Sequence, residues 1–119
     1  MTFIEAIRSG FRNYATFSGR AARSEYWFWT LFALLANLAG GIVDAAIFFH
    51  SDIGLFGPLI SLALLLPGIA VAVRRMHDLD HTGWWVLIVL TGIGAFILLV
   101  WFCFKGTTGA NRFGSDPLA

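Results

Sequence analysis

Residues 26–49 read YWFWTLFALLANLAGGIVDAAIFF, and Asp44 is the only charged side chain in this apolar run. Two more apolar runs follow, over residues 53–73 and 84–104, and neither contains a charged side chain. A helix that spans a bilayer needs about 20 predominantly apolar residues, because each residue rises about 1.5 Å and the hydrocarbon core is about 30 Å thick. Each run is long enough. The sequence therefore predicts an all-α membrane protein with three transmembrane helices.

The composition agrees with that prediction. Hydrophobic residues make up 58% of the chain and charged residues 13%, whereas ordinary soluble domains contain about 25% charged residues. Cys103 is the single cysteine, which excludes an intrachain disulfide and a cysteine-based metal site. A net charge of +1 gives no reason to expect nucleic acid as a partner. We expect one integral membrane domain over residues 1–119, in contact with the lipid bilayer and without a cofactor.

Residues 1–17 show the period of an amphipathic helix. Apolar side chains recur at spacings of three and four, with polar side chains opposite them: Phe3, Ile4, Ile7, Phe11 and Tyr14 against Glu5, Arg8, Arg12 and Asn13. This pattern is typical of an interfacial helix whose arginines face anionic lipid headgroups. The alternative is a short helix packed under the bundle. The segment lacks the apolar stretch of a cleavable signal peptide.

The arginines predict how the three spans are threaded. Six basic residues precede the first span or follow the second, and two follow the third: Arg8, Arg12, Arg20, Arg23, Arg74 and Arg75, then Lys105 and Arg112. The positive-inside rule therefore predicts a cytoplasmic N-terminus and a periplasmic, loop-like tail over residues 105–119. Tryptophans prefer the membrane interface, which places four at the cytoplasmic side and one opposite: Trp27, Trp29, Trp84 and Trp85, then Trp101.

The third run contains a feature that favours an alternative path. Thr91-Gly92-Ile93-Gly94 lies at its middle, and glycine lowers helix propensity. A re-entrant hairpin that turned here would return the tail to the cytoplasm. Bare backbone at that depth needs protein to cover it, and two other helices offer little cover. The continuous span is therefore the prediction, and the hairpin is the alternative.

Polar residues form a stripe along the first predicted span. Ala33, Asn37, Gly40 and Asp44 follow one another at steps of four, three and four. Small residues allow helices to approach closely, and a polar group in hydrocarbon needs a partner on a neighbouring helix. We interpret the stripe as a helix contact face. The alternative assigns Asn37 and Asp44 to ion or proton transfer, because ionisable groups inside membranes are rare and often functional.

A second group of polar residues flanks the spans on the predicted cytoplasmic side. It comprises Arg20, Arg23, Glu25, Arg74, Arg75, His77 and Asp78. Guanidinium groups pair well with carboxylate or phosphate, so we expect the arginines to pair with the two carboxylates. The alternative role is binding of lipid headgroups or of a partner protein. His77 and His81 have the spacing of two metal ligands on a helix, but Gly83 indicates that the helix has ended, so no metal site is predicted.

Three segments together resemble a known family. Residues 19–27 read GRAARSEYW, residues 74–78 read RRMHD with GWW at 83–85, and residues 106–117 read GTTGANRFGSDP. In this order around apolar runs, they resemble the domain of unknown function 805 family (DUF805), the small bacterial YhaH-like inner-membrane proteins. The resemblance covers about residues 10–118. It implies a bacterial inner-membrane location and no established activity.

The function predicted from these observations is that of a structural, interaction or accessory membrane protein, as a homo-oligomer or beside another membrane protein. One alternative is an oligomeric channel or small transporter that uses Asn37 and Asp44, and another is a lipid-binding or stress-response factor. The sequence has no nucleophile with a nearby base, no phosphate loop and no carboxylates paired by periodicity. An enzyme is therefore not expected.

Overall fold

A computed structural model describes residues 2–48 and 54–118. The described chain is all-α. It contains α1 (Phe3–Arg12), α2 (Arg23–Ile47), α3 (Phe56–Asp78), a 3-10 helix (Gly83–Thr91) and α4 (Ile93–Cys103). A tail of turns follows to residue 118, and its one isolated bridge joins Asn111 to Gly114. The predicted end of the first span at residue 49 and start of the second at residue 53 lie outside the described residues.

Helices α2 and α3 form an antiparallel pair. Their 25 and 23 residues correspond to about 37 and 34 Å of helix, and both are long and apolar enough to cross a membrane. They approach closely at Gly40, where an added Cβ would crowd Ile60 and the backbone of Gly57. The small residue in the predicted stripe therefore forms the helix contact that its spacing indicated.

The third apolar run is not a continuous helix, so the predicted third transmembrane helix is not confirmed. The 3-10 helix and α4 meet at Gly92, whose φ is +77°. The chain reverses there, because Trp85 and Trp101 lie near opposite ends of the run yet have ring centroids only 5.8 Å apart. Trp101 therefore does not mark an opposite interface. The two arms, about 18 and 16 Å long, each match roughly half of the 30 Å hydrocarbon core.

The turn satisfies much of its own backbone. The Thr91 hydroxyl accepts a hydrogen bond from Gly94 N at 2.9 Å and donates to Ile88 O at 2.7 Å. Gly92 N donates to Val89 O at 3.2 Å. A side chain on Gly94 would overlap the Ile88 carbonyl oxygen, so only glycine allows the arms to meet. The cover that a re-entrant segment needs is thus supplied in part by the turn itself.

The reversal brings the tail back to the start of α2. The guanidinium of Arg75, at the end of α3, donates to the carbonyl oxygens of Phe102 and Phe104. Trp27 Nε1, in the first turns of α2, donates to Phe102 O at 3.2 Å. The tail and the segment before α2 therefore lie at the same end of the helix pair, whereas the sequence predicted them at opposite ends.

Helix α1 packs against α2 through its small residues. Ala6, Ser9 and Gly10 are buried, and Gly10 lies directly beneath the Trp29 ring. Phe11 makes an edge contact with Trp29 at 5.3 Å between ring centroids. The predicted N-terminal helix is present, over a shorter range than residues 1–17. It packs against α2, which agrees with the alternative of a short helix packed on the bundle. Trp29 is consequently buried in the core rather than placed at an interface.

We predict that Gly94→Ala destabilises the protein by about 1–3 kcal/mol or more, because the new methyl group must push the Ile88 carbonyl away. Thermal unfolding in a mild detergent measures the effect. The control is Gly41→Ala in α2, where an added Cβ meets nothing within 4 Å and alanine has the higher helix propensity. Equal melting temperatures for the two variants would contradict the hairpin.

Candidate functional site

A group of buried charged side chains surrounds the end of α3. This group is here called the charge cluster, and it comprises Arg20, Glu25, Arg74, Arg75 and Asp78. Asp78 is its centre. Arg20 Nη2 lies 2.9 Å from Asp78 Oδ1, and Arg75 Nη1 contacts Asp78 Oδ2. The exposed fraction of these three side chains is 5% or less. Such pairs are shielded from water, so their interactions are much stronger than those of surface ion pairs.

A third ion pair joins the helices α1, α2 and α3. Arg74 Nη1 lies 3.1 Å from Glu25 Oε1, which also accepts a hydrogen bond from the Ser9 hydroxyl. Asn13 Nδ2 donates to Ser9 Oγ at 3.2 Å and continues the chain of contacts. Arg74 Nε and Nη2 are buried and lack a partner within residues 2–48 and 54–118. Glu25 is therefore the residue through which α1, α2 and α3 are connected.

Hydrogen bonds from and to backbone groups of the tail attach it to the charge cluster. Arg20 Nη1 donates to Gly109 O at 2.6 Å, and Thr107 N donates to Asp78 O at 2.7 Å. Gly106 lies against Asp78 so closely that a side chain would overlap the carboxylate. The glycine-rich sequence of the tail is thus required by contact with the cluster as well as by its turns.

A carboxylate also orders the end of the tail. The backbone N–H groups of Leu118 and Gly109 each donate to Asp116 at 2.9 Å. These hydrogen bonds favour the ionised carboxylate and hold the pKa of Asp116 below its usual value. The tail contact is therefore strongest above the ordinary aspartate pKa and weakens as acid protonates the side chain.

The charge cluster holds three arginines and two carboxylates, a formal excess of one positive charge. Backbone carbonyl groups face the surplus arginine, since Arg75 also donates to Ala21 O, Phe102 O and Phe104 O. Phe102 and Phe104 lie at the C-terminal end of α4, where free carbonyl groups and the negative end of the helix dipole attract a cation.

The two histidines have separate surroundings. His77 Nδ1 lies 2.9 Å from Gly19 O, and its ring stacks on Phe113 with centroids 4.2 Å apart. A carbonyl oxygen only accepts, so Nδ1 carries the hydrogen. His81 Nδ1 instead lies 2.9 Å from Leu79 O, and its ring contacts Trp101. Their spacing in sequence therefore does not bring them to one ligand.

Arg23 differs from the expectation that it would pair with a carboxylate. It is exposed, and its Nη1 donates to Cys103 O at 3.1 Å. Among the described residues it forms no ion pair. Arg20 holds the position beside Asp78, and the adjacent Ala21 N donates to Arg74 O at 3.0 Å, which attaches this segment to the end of α3. The predicted pairing is wrong for Arg23.

Asn37 and Asp44 contact α3. Ser61 Oγ donates to Asn37 Oδ1, whose Nδ2 donates to Ala33 O at 2.8 Å. Asp44 accepts hydrogen bonds from three backbone N–H groups at the start of α3, those of Leu55, Phe56 and Gly57, at 2.7–2.9 Å. It thus caps a helix to which it does not belong. Both polar residues of the predicted stripe have structural partners in the described chain.

Several members of the site were not predicted from the sequence. Ser9 reaches Glu25 across 16 positions, and Asn111 Nδ2 donates to His77 O at 2.9 Å across 34. Phe113 stacks on His77. The spacing of Ala6, Ser9 and Gly10 was a signal of a packed small-residue face on α1, whereas no local pattern indicates the contacts of the tail.

The comparisons with known proteins agree with this architecture. Residues 14–115 match the family described as protein of unknown function (DUF805). This chain belongs to that family. It is 43% identical over 111 residues to inner membrane protein YhaI of Escherichia coli K12, with 89% of each chain covered. It is 38% identical over 109 residues to inner membrane protein YhaH of the same strain, covering 89% of this chain and 90% of the relative. No solved structure matches the chain.

The family membership confirms the resemblance carried by the three motifs. Those motifs supply most of the charge cluster and its tail contacts: Arg20 and Glu25 from the first, Arg74, Arg75 and Asp78 from the second, and Thr107 and Gly109 from the third. The family description assigns no activity. A role for these residues in binding lipid or a partner stays a prediction.

We predict that Asp78→Asn lowers the free energy of unfolding by about 3–5 kcal/mol, because it leaves two buried arginines without a counter-charge. Thermal unfolding in mild detergent measures the change. The matched control is Asp80→Asn, which breaks the Arg112 pair, whose side chains are 60% and 50% exposed, and should cost less than about 1 kcal/mol. Asparagine also tolerates the positive φ of residue 80. Similar losses in the two variants would show that burial of the cluster has no energetic consequence.

Proposed function

We propose that this protein is a structural or interaction protein of the bacterial inner membrane. In this proposal α2 and α3 cross the bilayer, the hairpin of residues 83–103 enters it halfway, and a rigid polar cap lies at the cytoplasmic surface. The cap consists of the charge cluster and the tail. The observation that carries the proposal is the buried charge cluster, because it joins helices and tail into one fixed surface. The inner-membrane relatives support the location.

The distribution of basic residues supports the cytoplasmic side. The three-span path divides them six to two, whereas the hairpin path brings residues 105–112 to the end that holds the other six, so all eight lie there. The connection from α2 to α3, residues 48–55, contains no lysine or arginine. Since the positive-inside rule counts basic residues in short flanking segments, a division of eight to none favours a cytoplasmic cap.

The alternative of a channel was based on Asn37 and Asp44, and the contacts of these two side chains do not favour it. Asp44 accepts three backbone hydrogen bonds and Asn37 bonds with Ser61 and its own helix. Side chains so engaged serve helix packing. In the charge cluster Glu25 and Asp78 are paired with arginines, and beside it His77 Nδ1 bonds with a backbone carbonyl. These contacts favour a structural role for the side chains over a catalytic one.

Reporter fusions test the topology. A fluorescent reporter joined after residue 119 should fold in the cytoplasm, as should one joined after residue 80, because the tail and the end of α3 share one side. A phosphatase joined after residue 50 should be active in the periplasm. Phosphatase activity after residue 119 together with fluorescence after residue 80 would restore a full third span and reject the cap.

Substitution of Asp44 separates the packing role from ion transfer. Asp44→Ala should lower the melting temperature, because the first amides of α3 lose their acceptor, and Asp44→Asn should lower it less, since one amide oxygen remains. Neither variant should alter proton or cation flux across liposomes that contain the protein. A flux present in the wild type and absent in a stably folded Asp44→Asn variant would instead support the channel.

A further inference from the structure

A cavity of about 300 Å³ lies where α2 begins and α4 ends. Its walls include Arg23 and Ser24 from the first turn of α2, Lys105 and Gly106 from the start of the tail, and Asp78 from α3. This volume is at the lower end of the range of about 300–1,000 Å³ for small-molecule sites. It admits a headgroup-sized ligand rather than a large cofactor.

The residues that line the cavity carry an excess of positive charge. Neither Arg23 nor Lys105 forms an ion pair with any residue in 2–48 or 54–118. Asp78 is the one carboxylate named among its walls, and both of its oxygens already contact arginines of the charge cluster. Two cations without an ion-pair partner among the described residues therefore line the same space. Asp116 lies near Lys105, but its carboxylate already accepts hydrogen bonds from the backbone N–H groups of Gly109 and Leu118.

One of the two cations is held in place. Arg23 Nη1 donates to Cys103 O at 3.1 Å, which fixes the guanidinium beside the cavity and leaves its other N–H groups available. Planar guanidinium groups bind phosphate through two parallel hydrogen bonds. The Ser24 hydroxyl is a further donor on the same wall. The N-cap of α2 is Ala22, which makes no side-chain hydrogen bond, so the positive end of the helix dipole adds to the field.

We propose that this cavity, lined by Arg23, Ser24 and Lys105, binds a phosphate group, and that the phosphodiester of an anionic phospholipid supplies it. The lipid source rests on the proposed function, because a cytoplasmic cap places the cavity at the level of the headgroups. Two cations select a lipid with net negative charge over a zwitterionic one. The site anchors the cap to the leaflet at the point where α2 enters it.

The test measures lipid binding to the full-length protein in mild detergent at 150 mM salt, where long-range attraction is screened. Native mass spectrometry gives the affinity for phosphatidylglycerol and for phosphatidylcholine. We expect the wild type to prefer phosphatidylglycerol, and the double variant Arg23→Gln, Lys105→Gln to bind it about tenfold or more weakly. The control variant Arg8→Gln, Arg12→Gln removes the same charge from exposed positions of α1 and should retain wild-type affinity.

Equal losses in the double variant and the control would overturn the site, because the binding would then reflect the overall positive charge. Absence of any preference for phosphatidylglycerol would overturn the assignment of the phosphate group to a lipid. A separate arm adds inorganic phosphate: competition that needs both Arg23 and Lys105 supports the phosphate site, and saturation by inorganic phosphate without a lipid preference assigns it to a soluble ligand. If the reporter fusions place residue 119 in the periplasm while the binding of phosphatidylglycerol still depends on Arg23 and Lys105, the site stands and only the proposed topology is rejected.

Discussion

A buried carboxylate held by two buried arginines is the interaction on which the rest of this structure depends. Asp78 ends α3, and Arg20 and Arg75 contact its two oxygens from different parts of the chain. Transfer of each charge out of water is unfavourable by several kcal/mol, so the ions must be paired and their remaining hydrogens bonded. One carboxylate does not neutralise two guanidinium groups. The structure meets the remaining requirement with backbone carbonyl groups, among them those of Phe102 and Phe104.

The need for those carbonyl groups accounts for the path of the third apolar run. In a continuous helix from residue 84, Phe102 would lie roughly 27 Å along the axis, far from Arg75. The reversal at Gly92 instead returns the end of α4 to the cluster, where its last carbonyl groups have no partner within the helix. An apolar segment is thus bent to satisfy polar groups at its ends. The hairpin is therefore stabilised by the contact between Arg75 and the carbonyl groups at the end of α4.

Sequence reasoning could predict the features that depend on length and composition. Membrane thickness bounds the length of a spanning helix, which identified α2 and α3, and the identities of the cluster residues followed from charges placed beside apolar runs. The third run was misassigned because apolar length does not encode direction, and the requirement for Gly94 depends on the 3-10 winding before it. Arg20 and Arg23 are both near the start of α2, and only the path of the loop decides which one reaches Asp78. Contacts such as Ser9 with Glu25 depend on the packing of α1.

The two ends of the α2–α3 pair satisfy a carboxylate in different ways, and this difference explains where the cations are. At one end Asp78 is neutralised by arginines. At the other end Asp44 lies against the first backbone N–H groups of α3, which supply both hydrogen bonds and the positive end of a helix dipole. Because backbone groups stabilise Asp44, that end needs no lysine or arginine. A cation there would oppose the charge asymmetry that orients a membrane protein. Capping of α3 by Asp44 is therefore consistent with a helix pair whose arginines Arg20, Arg74 and Arg75 all lie at the opposite end, in the charge cluster.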